Sequence, residues 1–232
     1  KDYEPAKLYN KTIVQVSRRG KFFVFELEEN YNMVFHLGMS GRFFMVKPDY
    51  IINEPHVHVI VELDNENRLV YQDARRFGGV WLVKDINSFF AKMGVEPLSE
   101  EFNAKYLYDI TRKRKIAIKT LLLNQHLIAG IGNIYADESL FTAGIRPDRS
   151  AGTLTMEEAD KLCRAVKEVL ATSIKERGTT FRDFRDSYNM TGNFQNFLKV
   201  YGKTNEKCPN CGQILTREKI GGRSSHYCIS CQ

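Results

Sequence analysis

The sequence predicts an α+β chain in several parts: an antiparallel β-sandwich or barrel, then a helical middle, then a C-terminal zinc ribbon. Three observations carry that prediction. Seven short apolar runs lie between positions 12 and 83, helical periods replace them after Asp85, and two Cys-x2-Cys pairs stand near the C-terminus.

The runs cover 12–16, 22–27, 33–37, 42–46, 57–61, 69–71 and 80–83. Each is short and rich in β-branched or aromatic residues, and turn residues such as DNEN at 64–67 separate them, which is how antiparallel strands read. Farther on, Thr155 and Glu158 form a capping-box pair ahead of Ala159, Leu162, Cys163, Val166, Val169, Leu170 and Ile174, which share one helical face. Cys163 reads there as core filler rather than a nucleophile. An earlier helix is expected over 116–123, and another after the GIGN turn at 130–133, running towards Phe141. Residues 186–196 turn polar and glycine-containing, which predicts a loop before the ribbon.

Cys208, Cys211, Cys228 and Cys231 form two knuckles with sixteen residues between the pairs, the spacing of one tetrahedral Zn2+ site. Two disulfides are the alternative. The fifth cysteine, Cys163, has no partner in that scheme and these residues contain no apolar signal segment, so zinc in a reducing compartment is expected. Between the knuckles, a hairpin turning at Gly221-Gly222 would carry Arg223 on a metal-braced tip, although a lone arginine in a solvated turn is the commoner case.

Charge narrows the partner. Lys+Arg 34 against Asp+Glu 28 gives +6 and a pI of about 9.0; four thiolates (−4) and one Zn2+ (+2) would lower the total to about +4. A polyanionic partner fits this modest excess where the cations cluster. Clusters occur at 18–21 (RRGK) and 112–119 (RKRKIAIK), the latter close to GIGN, whose unpaired N–H groups at a helix start suit an anion. The ordinary readings are a solvated face and a helix-packing turn. In the β region, HLGMSG at 36–41 sets Met39 in a turn, and DARRFGG at 73–79 offers Arg75, Arg76 and Phe77. A Met wedge with an Arg and a Phe could fill a hole in a base stack. Core packing of Met39 and Phe77, with ion pairing of the arginines, is the plainer possibility.

Taken together and in this order, RRGK, HLGMSG, DARRFG, AGIGNIY at 129–135, VYGK at 200–203 and the ribbon with Gly222-Arg223 closely resemble the bacterial formamidopyrimidine-DNA glycosylase family, relatives of endonuclease VIII. The resemblance spans essentially the whole chain. It implies a β-sandwich over 1–90, a helix-two-turn-helix domain over 91–192 and a zinc finger over 193–232, with damaged duplex DNA bent between the halves. It implies removal of oxidised purines by base flipping and Schiff-base chemistry with AP lyase activity, by a monomer acting in the bacterial cytoplasm at the nucleoid, with one structural zinc and no membrane contact.

The resemblance makes Lys21, His36, Asn133 and Arg223 a clamp on phosphates flanking the flipped nucleotide. Met39, Arg75 and Phe77 would fill the vacated duplex, Arg75 reading the opposing cytosine. Arg76 and Tyr201 would join the DNA contacts, Lys21 and Lys119 would support the chemistry, and the loop 187–196 would close over the extruded base. One feature departs from the family pattern. Family chemistry starts from a terminal Pro-Glu, whereas the sequence reads Lys1-Asp2-Tyr3-Glu4-Pro5. The expectation is therefore that the nucleophile lies upstream and that these 232 residues carry none. A catalytically inactive lesion-binding homologue and a zinc-ribbon nucleic-acid-binding protein are the alternatives.

Overall fold

The computed structural model describes residues 5–180 and 190–232. All seven expected strands are present, as β1 (Ile13–Arg19), β2 (Phe22–Leu27), β3 (Asn32–His36), β4 (Gly41–Val46), β5 (Val57–Glu62), β6 (Arg68–Asp73) and β7 (Gly79–Val83). They form two antiparallel sheets, in the orders β1-β2-β3-β7 and β4-β6-β5. Period-2 alternation turns Phe25, Leu27, Met33 and Phe35 of the first sheet towards Phe43, Leu69 and Tyr71 of the second. The rings of Phe35 and Phe43, 4.8 Å apart, tie the two layers. The sandwich alternative is therefore the one adopted. A short helix α1 (Ile86–Phe90), capped by Asp85 on Ser88 N at 3.0 Å, completes this stretch.

The described residues divide into two compact units: 5–91 with 176–180 and 190–195, and 92–175 with 196–232. The first boundary falls where the strand pattern ends. The helical segment and the ribbon share the second unit, joined through contacts between a helix and the last strand.

In the second unit, α2 (Ala104–Thr111) starts at Asn103, whose side chain accepts from Tyr106 N at 2.9 Å. It was not separately legible in the sequence, because its eight residues make only about two turns. The helix expected over 116–123 is shorter, α3 (Ile118–Leu122), because Ile116 and Ala117 run extended, accepting from Ala151 N and bridging to Ser150. Then follow α4 (Asn133–Ala143) and α5 (Met156–Lys175). The expected capping box opens α5: Glu158 N donates to Thr155 Oγ1 at 3.2 Å, and Thr155 N donates to Glu158 Oε2 at 2.9 Å. Arg149 donates to the same carboxylate and holds its pKa down to about 2.

Ala159, Leu162, Cys163, Val166 and Val169 are buried against Leu107, Leu121 and Leu140 as the helical face requires. Ile174 departs from that expectation: it is 66 % exposed, one residue from the end of α5, where the core no longer reaches. Cys163 is core filler, its thiol pushed up by burial and donating to the Phe102 carbonyl at 3.3 Å.

Of the loop expected over 186–196, residues 186–189 lie outside the described residues. Residues 190–195 are tied back onto 176–180, through Asn193 N to Glu176 O (2.8 Å) and Gly192 N to Thr180 Oγ1 (2.9 Å). Phe194 is buried, so the chain is already packed before position 196. The ribbon is one hairpin, β8 (Thr216–Ile220) and β9 (Arg223–Tyr227), turning at Gly221 and Gly222, both with positive φ.

Candidate nucleic-acid interface

In the sandwich unit, Asp73 organises the site. It closes β6, is 1 % exposed, and its carboxylate accepts from Ser40 Oγ (2.6 Å), Gly78 N (2.8 Å), Arg75 N (3.3 Å) and Tyr71 OH (3.3 Å). Burial alone would raise its pKa; these donors outweigh burial and hold it below 3.8. Tyr71 is pushed up to about 12, first by burial and then by the Asp73 charge.

One carboxylate thus fastens two loops, 37–40 and 74–78. They also press backbone to backbone: a Cβ on Gly38 would lie 2.6 Å from the Phe77 carbonyl carbon, and one on Gly78 would lie 2.2 Å from the His36 carbonyl oxygen. Leu37 packs on the sandwich core, but Met39 and Phe77 are not core residues. Met39 is 63 % exposed and Phe77 58 %, with the Arg75 guanidinium 5.9 Å from the Phe77 ring. Arg76 adopts φ +55°, a left-handed conformation that costs a non-glycine residue and is held here between its two neighbours.

His36 ends β3, paired with Phe22, and its ring lies 4.7 Å from the Phe22 ring. Burial first, then the Lys21 cation, lower its pKa, so the ring is neutral at pH 7. Gly38 N donates to His36 Nδ1 at 3.1 Å, which leaves the proton on Nε2 and makes that atom a donor. Lys21, in the β1–β2 turn beside Gly20 (φ +57°), is exposed next to it. Four expected DNA residues of this unit, Met39, Arg75, Arg76 and Phe77, therefore stand on two coupled loops, with His36 at the end of β3 and Lys21 adjoining.

In the second unit, α4 begins at Asn133 after Gly130 (φ +82°) and Gly132, with no side chain capping its first N–H groups. Asn133 Nδ2 donates to Ser224 O (3.1 Å) and, at a long 3.4 Å, to Tyr201 OH. The Tyr201 segment is held by Glu138, a buried acid whose carboxylate accepts from the amides of Lys199 (2.8 Å), Val200 (3.0 Å) and Tyr201 (2.8 Å). Arg223 opens β9 and is exposed beside the Gly-Gly turn. Asn133 thus links Tyr201 to the carbonyl of Ser224, the residue that follows Arg223.

Lys119 stands apart from these groups. It is 0 % exposed and its ammonium is bound at 2.6 Å by Asp137, so it presents no group to a ligand. Sequence reasoning missed Asp73, Asp137 and Glu138 as the acids that hold the site. Acids inside strongly apolar stretches were the available signal, since a buried carboxylate needs donors.

The four ribbon cysteines gather with all sulfurs within 4.8 Å of one another, Cys208 to Cys231 at 3.8 Å and Cys211 to Cys228 at 3.5 Å. Tetrahedral zinc with Zn–S near 2.3 Å sets sulfurs about 3.8 Å apart, so the set fits that ion. Although burial opposes it, backbone N–H groups of Asn210 and Cys211 pull the Cys208 thiol down to about 7. The Cys211 thiol, then burial, push Cys231 up to about 12. Four sulfurs this close reach full thiolate form only around a cation.

Three family models match the chain: the formamidopyrimidine-DNA glycosylase N-terminal domain over residues 2–80, its H2TH domain over 93–185, and the zinc finger found in FPG and IleRS over 205–232. The formamidopyrimidine-DNA glycosylase of Syntrophomonas wolfei is 57 % identical over 232 residues, which cover 100 % of this chain and 87 % of that protein. That of Pectobacterium atrosepticum is 44 % identical, over 99 % of this chain and 85 % of the relative. Among solved structures, Lactococcus lactis Fpg bound to DNA containing an abasic site superposes with a TM-score of 0.91 at 36 % identity, covering 98 % of this chain and 84 % of that one. The same enzyme with N7-benzyl-Fapy-dG DNA gives 0.91 at 37 % identity, with the same coverage.

Proposed function

Because the chain belongs to the formamidopyrimidine-DNA glycosylase family, we infer that it is a base-excision-repair DNA glycosylase with AP lyase activity, removing 8-oxoguanine and formamidopyrimidines from duplex DNA. The observation that carries this reading is the pair of loops fastened to Asp73, which hold Met39, Arg75 and Phe77 in the open. Large apolar side chains cost free energy in water, and a loop geometry fixed by a buried carboxylate keeps them there. A base flipped out of the stack leaves a gap that Met39 and Phe77 would fill, while Arg75 donors would meet the acceptors of an orphaned cytosine.

The remaining residues bind the backbone. His36, neutral with its proton on Nε2, Lys21 and Arg223 would donate to phosphates, and a phosphate oxygen would take the Asn133 hydrogen now shared weakly with Tyr201. Arg76 adds a further cation to the same backbone track. In the chemistry that the resemblance implies, an amine displaces the base at C1′ and forms a Schiff base, whose β-elimination nicks the strand. Pro5, preceded by Glu4, has an internal amide nitrogen and is not that amine.

One Zn2+ on Cys208, Cys211, Cys228 and Cys231 would brace the hairpin and take no part in the reaction. The division expected from sequence, 1–90, 91–192 and 193–232, remains the reading for the three family parts. A monomer on duplex DNA in the bacterial cytoplasm is the setting this implies; no helix among the described residues is long and apolar enough to cross a membrane.

Phe77→Ala tests the reading. Stacking on a base contributes about 1–3 kcal/mol, so affinity for an 8-oxoguanine duplex should fall roughly 5- to 150-fold. Melting temperature and affinity for undamaged duplex should hardly change, because Phe77 is exposed. Equal losses of stability and of affinity for both duplexes would mean that Phe77 is a packing residue.

A further inference from the structure

Lys119 is a buried cation that the binding groups do not use directly. Its Nζ contacts Asp137 Oδ1 (2.6 Å) and donates to Ser224 O (2.7 Å) and Ser225 Oγ (2.8 Å). An ammonium has three donors, so all are committed inside the protein. Asp137 Oδ2 accepts from His226 N at 2.9 Å. The ion pair therefore holds three consecutive residues of β9, from 224 to 226.

The neighbouring residue seats the other side of the tip. A Cβ on Gly221 would lie 2.4 Å from Thr120 Oγ1, so the turn rests directly on α3. Asn133 Nδ2 joins Lys119 on the Ser224 carbonyl at 3.1 Å. Arg223 is thus flanked by two fixed points, Gly221 on Thr120 and Ser224 on Lys119, while its own side chain is exposed. Burying both charges costs desolvation, and an apolar pair of similar volume often folds as well or better. Stability is thus a weak reason for an ion pair here. Directing one carbonyl is a better one, because only a donor of fixed position achieves it.

We propose that Lys119 is a positioning residue for the phosphate contact of Arg223: through Asp137 and the Ser224 carbonyl it sets the direction of the β8–β9 tip, and it touches neither DNA nor the reacting base. The proposal rests on the functional reading above.

The test uses the zinc-loaded protein and a double variant, Lys119→Met with Asp137→Asn. This removes both buried charges together while keeping an acceptor for His226 N. Melting temperature should stay near that of the parent. Duplex affinity should fall about tenfold, and the slope of log affinity against log salt should shrink by about one, as for one lost phosphate contact. On an Arg223→Ala background, the same double change should weaken binding less than about twofold further, because Lys119 acts through Arg223.

A second variant, Gly221→Ala, lifts the tip from Thr120 without touching the ion pair, and should reproduce the loss of affinity and slope. Additive losses on the Arg223→Ala background, or parent-like binding by both variants, would overturn the proposal and leave the functional reading standing. A parent protein that does not bind duplex DNA at all would overturn that reading, and the proposal with it.

Discussion

Chelating the metal from the protein is expected to unravel residues 205–232 and to lower duplex affinity more than tenfold, while the helices keep their structure. The magnitudes decide which part gives way. The ribbon's apolar core is small, Leu215 and Val200 with Phe141 around Cys208 and Cys228, and burying one such side chain contributes about 1.5–3 kcal/mol. A structural zinc site contributes on the order of 10–16 kcal/mol in apparent terms. The helical core of Phe102, Leu107, Leu121, Leu140 and Leu162 owes nothing to the metal and should survive.

Circular dichroism should therefore change little, while proteolysis opens the C-terminal segment and Arg223 loses its seat. Cys228→Ser should do the same, since Cys228 is fully buried in that core. Metal-free protein with a protected C-terminus and undiminished DNA affinity would refute the zinc assignment.

Asp73→Ala is the second change with a large expected effect. Hydrogen bonds to a charged group contribute about 1.5–3 kcal/mol each, and the short ones from Ser40 and Gly78 would both be lost, so about 3–6 kcal/mol of unfolding free energy should go with them. Loops 37–40 and 74–78 would lose their common anchor, and preference for damaged over undamaged duplex should disappear even below the melting transition. The pH dependence has a definite sign. The folded pKa of Asp73 lies below 3.8, so its contribution is fully present above 3.8 and is lost as pH falls through the lower folded value. In the Ala variant that part of the acid transition should be missing. An unchanged melting temperature with lesion preference intact would contradict the assigned role.

Much of this was legible locally. Seven strands followed from short β-branched or aromatic runs between turn residues, the α5 start from Thr155 and Glu158, and the metal set from cysteine spacing, because each signal lies within a few residues. Met39, Arg75 and Phe77 were legible as large or charged groups in turns, which a core does not require. What holds them was not. Lys119 meets Ser224 across 105 positions, and Glu138 meets Lys199 across 61, and no local period or cap announces such pairs. The same distance hides the setting of Lys119: in sequence it continues the exposed basic run 112–115, whereas α3 turns it inward onto Asp137. Ile174 failed for the opposite reason, since the helical period continues after the core has ended.

Borohydride trapping of the gene product on a duplex with a single 8-oxoguanine opposite cytosine bears most directly on the central claim. The account predicts a covalent protein–DNA adduct under reduction and, without borohydride, loss of the oxidised base with a nick at its site, both far weaker on an undamaged duplex. A zinc-loaded, folded gene product that binds the lesion duplex yet gives neither adduct nor nick would contradict it, leaving a protein that recognises damage without excising it.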